Sequence, residues 1–397
     1  MVSDRYCGSR AVVERADEKL RIEQISVEAE LAALAPAWDE LVRAMPRPSP
    51  FLLNAWLVEW WRHFGAGGQL AVWTAFRGDR LVAGLPLFVQ QRLGLRMLEF
   101  VGGTKAALAD VMLRPEEGDS TATVLAEAGD GLEHDFANVF GLTAESRLAR
   151  TPSWRGLRLI ERLEAPILDL SDGWEAVYER KFSSRARQER RRHRRQLEQL
   201  GSVEISVARA PDELGPAFDD VARLYALRWQ GRREGSGLLS AEGASFYRAA
   251  LLRLAEQDVP RILTLRLDGR PVAATAYLLF SRTLYGLLMA FDPALARHSP
   301  GSEALYSTLE GAAGEGATRA EFLGAATGHN QRFTDRVEPI YQGIGLARTV
   351  RGRLGAEALV AGIRLRRRAK TSETARRLYA HVPRKLTSVG PLPPTDG

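Results

Sequence analysis

The stretch Met289-Ala-Phe-Asp-Pro-Ala-Leu-Ala-Arg-His-Ser-Pro-Gly-Ser-Glu-Ala-Leu, up to Leu305, begins like the end of a strand and finishes like a helix. Phe291-Asp292-Pro293 and Arg297-His298-Ser299-Pro300-Gly301 stand between the two. Ser299 or Ser302 is suited to cap the helix, and Pro300 suits its first turn. Gly301 carries no side chain, so a ligand can approach the backbone there. The first amides of a helix lack partners and carry a partial positive charge, which suits an anion such as pyrophosphate. A capped helix start that binds nothing is the other reading of the same residues.

Working outward, "RILTLRLDGRPVAATAYLLFSRTLYGLLMAF" (261–291) reads as strand, Asp268-Gly269 turn, strand, turn, strand. The stretch 70–103 has the same form, with its turn at Gly78-Asp79. With a constant offset of 190, Thr74, Arg80, Val82 and Ala83 fall on Thr264, Arg270, Val272 and Ala273. An aromatic-containing helix precedes each copy, so a duplication is expected. The fold class expected is α/β, mixed α+β, with tandem halves, each a mixed and mostly antiparallel sheet flanked by helices.

The expected divisions are an N-terminal extension (1–29, partly disordered), a first half (30–165), a linker with a basic helix (166–200), a second half (201–347) and a basic extension (348–397). Helices are expected within 30–64, with Pro36 in a first turn, and over 120–140, 211–230 and 240–257. "SVEISVAR" (202–209) reads as a strand, and the closing "PLPPTDG" as disordered.

A chain of 397 residues with 45% hydrophobic residues can bury a normal core. The single Cys7 excludes an internal disulfide framework and a cysteine-rich zinc site, and suits a reducing compartment. Residues 1–20 lack the apolar core of a signal peptide, and no apolar run spans a bilayer, so a cytoplasmic location is expected. Residues 180–199 carry a net +7 and 348–385 a net +10; with +6 overall, the remainder is −11. The body is therefore acidic, with two basic helical segments. The first is read as a solvated helix packing through Leu197 and Leu200, or as a surface for phosphates. No aromatic residue follows Phe182 within it, which speaks against base stacking. The second, "GIRLRRRAK" (362–370), is a candidate for contact with an anionic membrane surface.

P-loop, G-x-S-x-G and H-E-x-x-H motifs are absent, and no G-x-G-x-x-G follows a strand. No metal site is expected. Non-metal group transfer or binding remains.

Phe291-Asp292-Pro293, His298-Ser299-Pro300-Gly301 and Phe322-Leu323-Gly324 together resemble the C-terminal half of CelD-like acyltransferases. That family belongs to the GNAT superfamily and is related to the FemAB aminoacyl transferases. Arg228-Trp229, the Arg-rich segment from Ser184 and "SPFLLNAWLVEWWRHFG" (49–65) resemble further parts of it, so the likeness covers about 30–345. The resemblance implies an acyltransferase that uses acyl-CoA as co-substrate, with no tightly bound cofactor. His298, Ser299, Gly301, Ser302 and Glu303 would cradle the pyrophosphate. Backbone amides of the strand through Leu288 and Met289 would polarise the thioester carbonyl. An acceptor amine, small molecule or peptide, would attack directly while a base takes its proton.

Glu321 and His329 are the candidates for that base. Their alternatives are a carboxylate pairing an arginine and an exposed loop histidine. Arg228, Trp229, Tyr285 and Asp292 are the candidates for binding substrate; Asp292 also suits a turn, and Arg228-Trp229 a cation–π pair. Three departures from the family pattern stand out: Glu321 replaces an Asp, Ala325 replaces a Gly, and His329-Asn330 replaces a Tyr-Lys. The alternatives to acyl-CoA-dependent N-acyl transfer are a FemAB-type enzyme using charged tRNA and a catalytically degenerate binding or scaffold protein. An acyl carrier protein or charged tRNA is a possible partner of the basic helices.

Overall fold

The computed structural model describes residues 11–13, 19–229, 240–323 and 331–371. Along the chain, β1 (Ala11–Val13) and β2 (Leu20–Ile25) precede α1 (Glu28–Ala33), α2 (Ala35–Ala44) and α3 (Asn54–Phe64). Pro36 lies in the first turn of α2, where its missing N–H costs nothing. Next come β3 (Gly68–Arg77), β4 (Arg80–Arg92), β5 (Leu95–Phe100), β6 (Met112–Leu113), α4 (Asp119–Asp130), β7 (Phe136–Leu142), α5 (Arg147–Arg150) and β8 (Arg158–Asp169). The helix expected over 120–140 ends at Asp130, and its last part is β7. Gly129 and Gly131 interrupt the helical spacing, and the apolar, aromatic run Phe136–Leu142 suits a buried strand.

Then follow α6 (Trp174–Lys181), α7 (Ser184–Glu198), β9 (Val203–Ala208), α8 (Pro211–Trp229), α9 (Ala241–Leu254), β10 (Pro260–Leu267), β11 (Arg270–Phe280) and β12 (Thr283–Phe291). A 3-10 turn, Pro293–His298, leads into α10 (Pro300–Gly314), β13 (Arg319–Glu321), β14 (Arg336–Gly345) and α11 (Val350–Thr371).

The chain forms two compact units. Of the described residues, one holds those up to Arg162 together with 340–371; the other holds those from Leu163 to Pro339. This differs from the expected divisions. The basic segment read as a linker lies inside the second unit. The strand residues 340–345 and the described part of the basic extension, 348–371, join the first. The physical reason is pairing: residues 341–345 hydrogen-bond along β7, and α11 buries Ala356 and Val360 against Met97 and Phe136.

The first unit's sheet runs β1-β2-β3-β4-β5-β7-β14, with β6 beside β4. Its core holds Trp38, Trp56, Trp154, Phe51, Phe88 and Phe100. Trp38 and Trp154 donate their indole N–H to the carbonyls of Leu52 and Ala126, which offsets the cost of burying it. The second unit's sheet runs β8-β13-β12-β11-β10-β9. Its core includes Leu263, Leu265, Tyr277, Tyr306, Leu309, Phe182 and Phe333.

The duplication is visible in the strand register. In β3/β4 the register slips between Ala75 and Phe76, and in β10/β11 between Leu265 and Arg266. The offset is again 190. An irregularity at the same point of two hairpins is much more specific than a shared hairpin. Each unit then adds a third antiparallel strand, a helix and a parallel partner, β5 with β7 and β12 with β13.

Candidate active site

The second unit's site is built where β12 leaves its parallel neighbour. β12 pairs with β13 from Thr283 to Tyr285, and no further pair is formed among the described residues, although β12 continues to Phe291. The β11/β12 register slips between Ala276 and Tyr277, so Leu287 is the extra residue of a bulge. Leu288 and Met289 follow it, half-buried. Arg228, from the last turn of α8, donates to the Met289 carbonyl at 3.4 Å and lies over the Phe291 ring at 5.1 Å. The structure thus brings Arg228, Met289 and Phe291 together. The Trp229 side chain lies outside the described residues.

Asp292 turns the chain. Its Oδ1 accepts from the Ala294 amide at 3.0 Å, its Oδ2 pairs with Arg270, and it is 5% exposed. Both oxygens are engaged in the turn, which is the structural alternative to substrate binding.

Ser299 adopts a left-handed conformation (φ +51°, ψ +45°), which reverses the chain from the 3-10 turn into α10. It stands at the N-cap position, but its hydroxyl caps no helix amide. Its carbonyl takes the amides of Ser302 and Glu303 at 3.0 and 3.2 Å. Pro300 has no N–H, so Gly301 carries the one amide of this turn that the Ser299 carbonyl leaves. Gly301 is explained differently from the sequence reading. A Cβ there would sit 2.8 Å from Phe291 Cδ1, so the missing side chain makes room for the Phe291 ring rather than for a ligand.

Glu303 also takes a different place. It is 5% exposed and receives a two-pronged grip from Arg190, Nε to Oε2 at 2.9 Å and Nη2 to Oε1 at 3.0 Å, with Arg194 Nη1 on Oε1 at 3.1 Å. Arg190 stacks over Tyr306 at 4.4 Å. Glu303 is therefore the anchor of the basic helix. Ala186, Arg190, His193 and Leu197 form the inward face of α7 at helical spacing. Leu200, read as a packing residue, is 44% exposed, because α7 ends before it. Arg187 caps the end of α6 through the carbonyls of Glu179 and Phe182. What remains outward is Arg185, Arg191, Arg192 and Arg195, all exposed.

His298, buried, sits one residue before Ser299. Arg297 Nε donates to its Nε2 at 2.8 Å, which places the ring proton on Nδ1. Nδ1 is buried and has no hydrogen-bond partner. Burial, then Arg297 and His193, hold the imidazole pKa below its ordinary value. At neutral pH the site thus contains a neutral, buried N–H donor without an acceptor.

Sequence reasoning missed Arg332. Its exposed guanidinium reaches Ser302 Oγ at 3.4 Å, at the first turn of α10. A signal was available: Arg332 stands two residues beyond Asn330, where the resembling family carries its lysine. Glu321 is 1% exposed and accepts from Arg319 Nε at 2.8 Å; Arg319 also bridges to Glu338 at 3.2 Å. Tyr285 is buried and opposite Glu321 in the parallel register. His329 lies outside the described residues. Among those described, no group of His, Cys, Asp and Glu is arranged to hold a metal ion.

Residues 184–331 match the family model described as acetyltransferase (GNAT) domain. No curated protein matches the chain. Among solved structures, it is similar to a conserved protein of unknown function from Bacteroides thetaiotaomicron. That likeness has 16% identity, 79% coverage of this chain and 97% of the other, and a TM-score of 0.50. It is also similar to FemX, with 11% identity, 76% and 89% coverage, and a TM-score of 0.54. At such identities these two share the fold, and the family assignment comes from residues 184–331, which contain the β12–α10 joint and the arginines that brace it. Residues 184–331 thus carry an acetyltransferase (GNAT) domain, and this domain supports an acyltransferase activity.

Proposed function

We propose that the protein is a CelD-like, FemAB-related N-acyltransferase that moves an acyl group from acyl-CoA directly to an amine acceptor. The observation that carries the donor site is His298 Nδ1: a buried N–H without an acceptor, beside the helix start at Ser299–Ser302. A phosphate oxygen supplies the acceptor that this nitrogen lacks, and charge-assisted hydrogen bonds are the strong ones. Arg332 and the Gly301 amide complete the cradle, with the dipole of α10 behind them. The amides of Leu288 and Met289, on the edge that β13 leaves, polarise the thioester carbonyl. Amine attack expels the CoA thiolate and needs no covalent enzyme intermediate.

Glu321 and His329 are the proposed groups that take the amine proton. The Arg319 pair gives Glu321 a structural role as its competing reading. Glu321→Gln separates the two: a base loses turnover with donor affinity kept, whereas a purely structural carboxylate leaves the rate unchanged once the protein is folded. Arg228, Trp229 and Tyr285 are the proposed substrate-binding groups.

Calorimetry with coenzyme A on the intact protein tests the donor. No binding at millimolar levels removes the donor site. The second reading, a charged tRNA as donor, rests on the outward arginines Arg185, Arg191, Arg192 and Arg195 of α7. Filter binding with charged tRNA over a salt series tests it, with a steep salt slope expected if it holds.

A further inference from the structure

We infer that the outward face of α11 is a docking site for an anionic membrane surface. The helix has two apolar faces. Gly352, Ala356, Leu359, Val360 and Ile363 face the first unit's sheet, and the backbone comes so close that a Cβ on Gly352 would lie 2.1 Å from the Asp135 carbonyl oxygen. The second face is formed by Val350, Leu354, Ala358, Ala361 and Leu365, which fall within a sector of about 80° at 100° per residue. Val350 is 79% and Leu354 67% exposed, the two most exposed large apolar side chains among the described residues.

The flanks of this stripe decide what it meets. Arg353 and Arg364 lie along one side, both exposed, with Arg367 further round and 3.9 Å from Glu161. Arg351 lies on the other side, exposed and paired with Asp135 at 2.9 Å. Glu357, the carboxylate of α11 beside the stripe, is engaged by Arg158 at 2.9 Å. An apolar stripe with arginines beside it matches the boundary between acyl chains and anionic headgroups. A second copy docking stripe to stripe would bring two sets of arginines together. The residues after the helix, 372–397, are themselves net basic and are repelled by the same flank. No helix among the described residues is long and apolar enough to cross a membrane, so the contact is to a surface.

Sedimentation of the full chain with vesicles tests this, using phosphatidylcholine alone and phosphatidylcholine with one quarter phosphatidylglycerol. The intact protein is expected to pellet with the anionic vesicles and to stay in solution with the neutral ones. Val350→Ser with Leu354→Ser removes the apolar contact, and Arg353→Glu with Arg364→Glu reverses the flank. Each pair is expected to lower the partition coefficient roughly tenfold or more, with the melting temperature unchanged because these side chains are exposed. Failure of the intact protein to bind anionic vesicles, equal binding to neutral ones, or undiminished binding by both variants overturns the proposal. So does a dimer in solution that the serine variant dissolves, since the occupant would then be a second copy.

Discussion

The two helices that follow the third strand of each hairpin, α4 and α10, occupy the same place in a duplicated pattern and begin in opposite chemistry. Before α4 the chain reads Glu116-Glu117-Gly118-Asp119. Glu117 is gripped by Arg77 at 2.8 and 3.1 Å and receives the Thr121 hydroxyl at 2.9 Å. The positive end of that helix is thus served by the protein's own carboxylates. Before α10 it reads Arg297-His298-Ser299-Pro300-Gly301-Ser302, with Arg332 at Ser302. The carboxylate in its first turn, Glu303, is neutralised by Arg190 and Arg194. A common scaffold therefore does not imply two donor sites. The side chains at the helix start determine whether an anion can come in.

The largest effect should follow from breaking the α10 clamp. Arg190→Ala leaves Glu303 buried without its main partner, and is expected to cost about 3–5 kcal/mol of stability by chemical denaturation. Adding Glu303→Gln to that variant should recover much of the loss. Full stability in Arg190→Ala would show that the clamp does not hold α10.

Donor binding sharpens the contrast between the halves. Ser302→Asp is favourable for the dipole of α10 and can pair with Arg332, yet it sets a carboxylate where phosphate is proposed to sit. Coenzyme A affinity is expected to fall about a hundredfold or more, equivalent to about 2.7 kcal/mol. Glu117→Gln at the other helix start should leave that affinity as it was, and titration should give one coenzyme A per chain. A second bound molecule that appears in Glu117→Gln would mean that α4 keeps a latent donor site.

Arg332→Ala is expected to weaken coenzyme A about tenfold, while acetyl transfer from a short thioester without phosphate changes little. Equal losses with both donors would assign Arg332 to the fold instead.

The smallest effect concerns pH. The folded protein holds the His298 pKa down, so the unfolded chain binds its proton first as pH falls. Stability from neutral His298 is present above the ordinary histidine value, near 6.5, and declines on acidification below it. His298→Gln should flatten that part of the curve of melting temperature against pH. An unchanged slope would clear His298 of the effect.

Much of the fold was legible because period and punctuation are local. The two hairpins follow from alternating apolar runs around Gly78-Asp79 and Asp268-Gly269, and the duplication from four residues at one offset. The helix assigned to 120–140 failed past Asp130, because Phe136–Leu142 becomes a strand by pairing with residues distant in the chain. In the candidate site, the sequence located the joint from Phe291 to Glu303 but not the duties within it. Glu303 drew attention as a ligand residue, whereas it anchors α7; nothing local reveals that Arg190, 113 positions earlier, closes on it. Arg332 passed unnoticed because its approach to Ser302 crosses 30 positions.

By itself the sequence determined the hairpins, their repetition, the proline-glycine start of α10 and the basic character of α7 and α11. These depend on backbone preferences and charge, which each residue carries with it. The tertiary structure alone decided which arginines are spent on carboxylates and which remain outward, that Gly301 yields space to Phe291, and that His298 keeps a buried proton without an acceptor. Those outcomes depend on distance and burial, and a side chain acquires both only from the neighbours that folding brings to it.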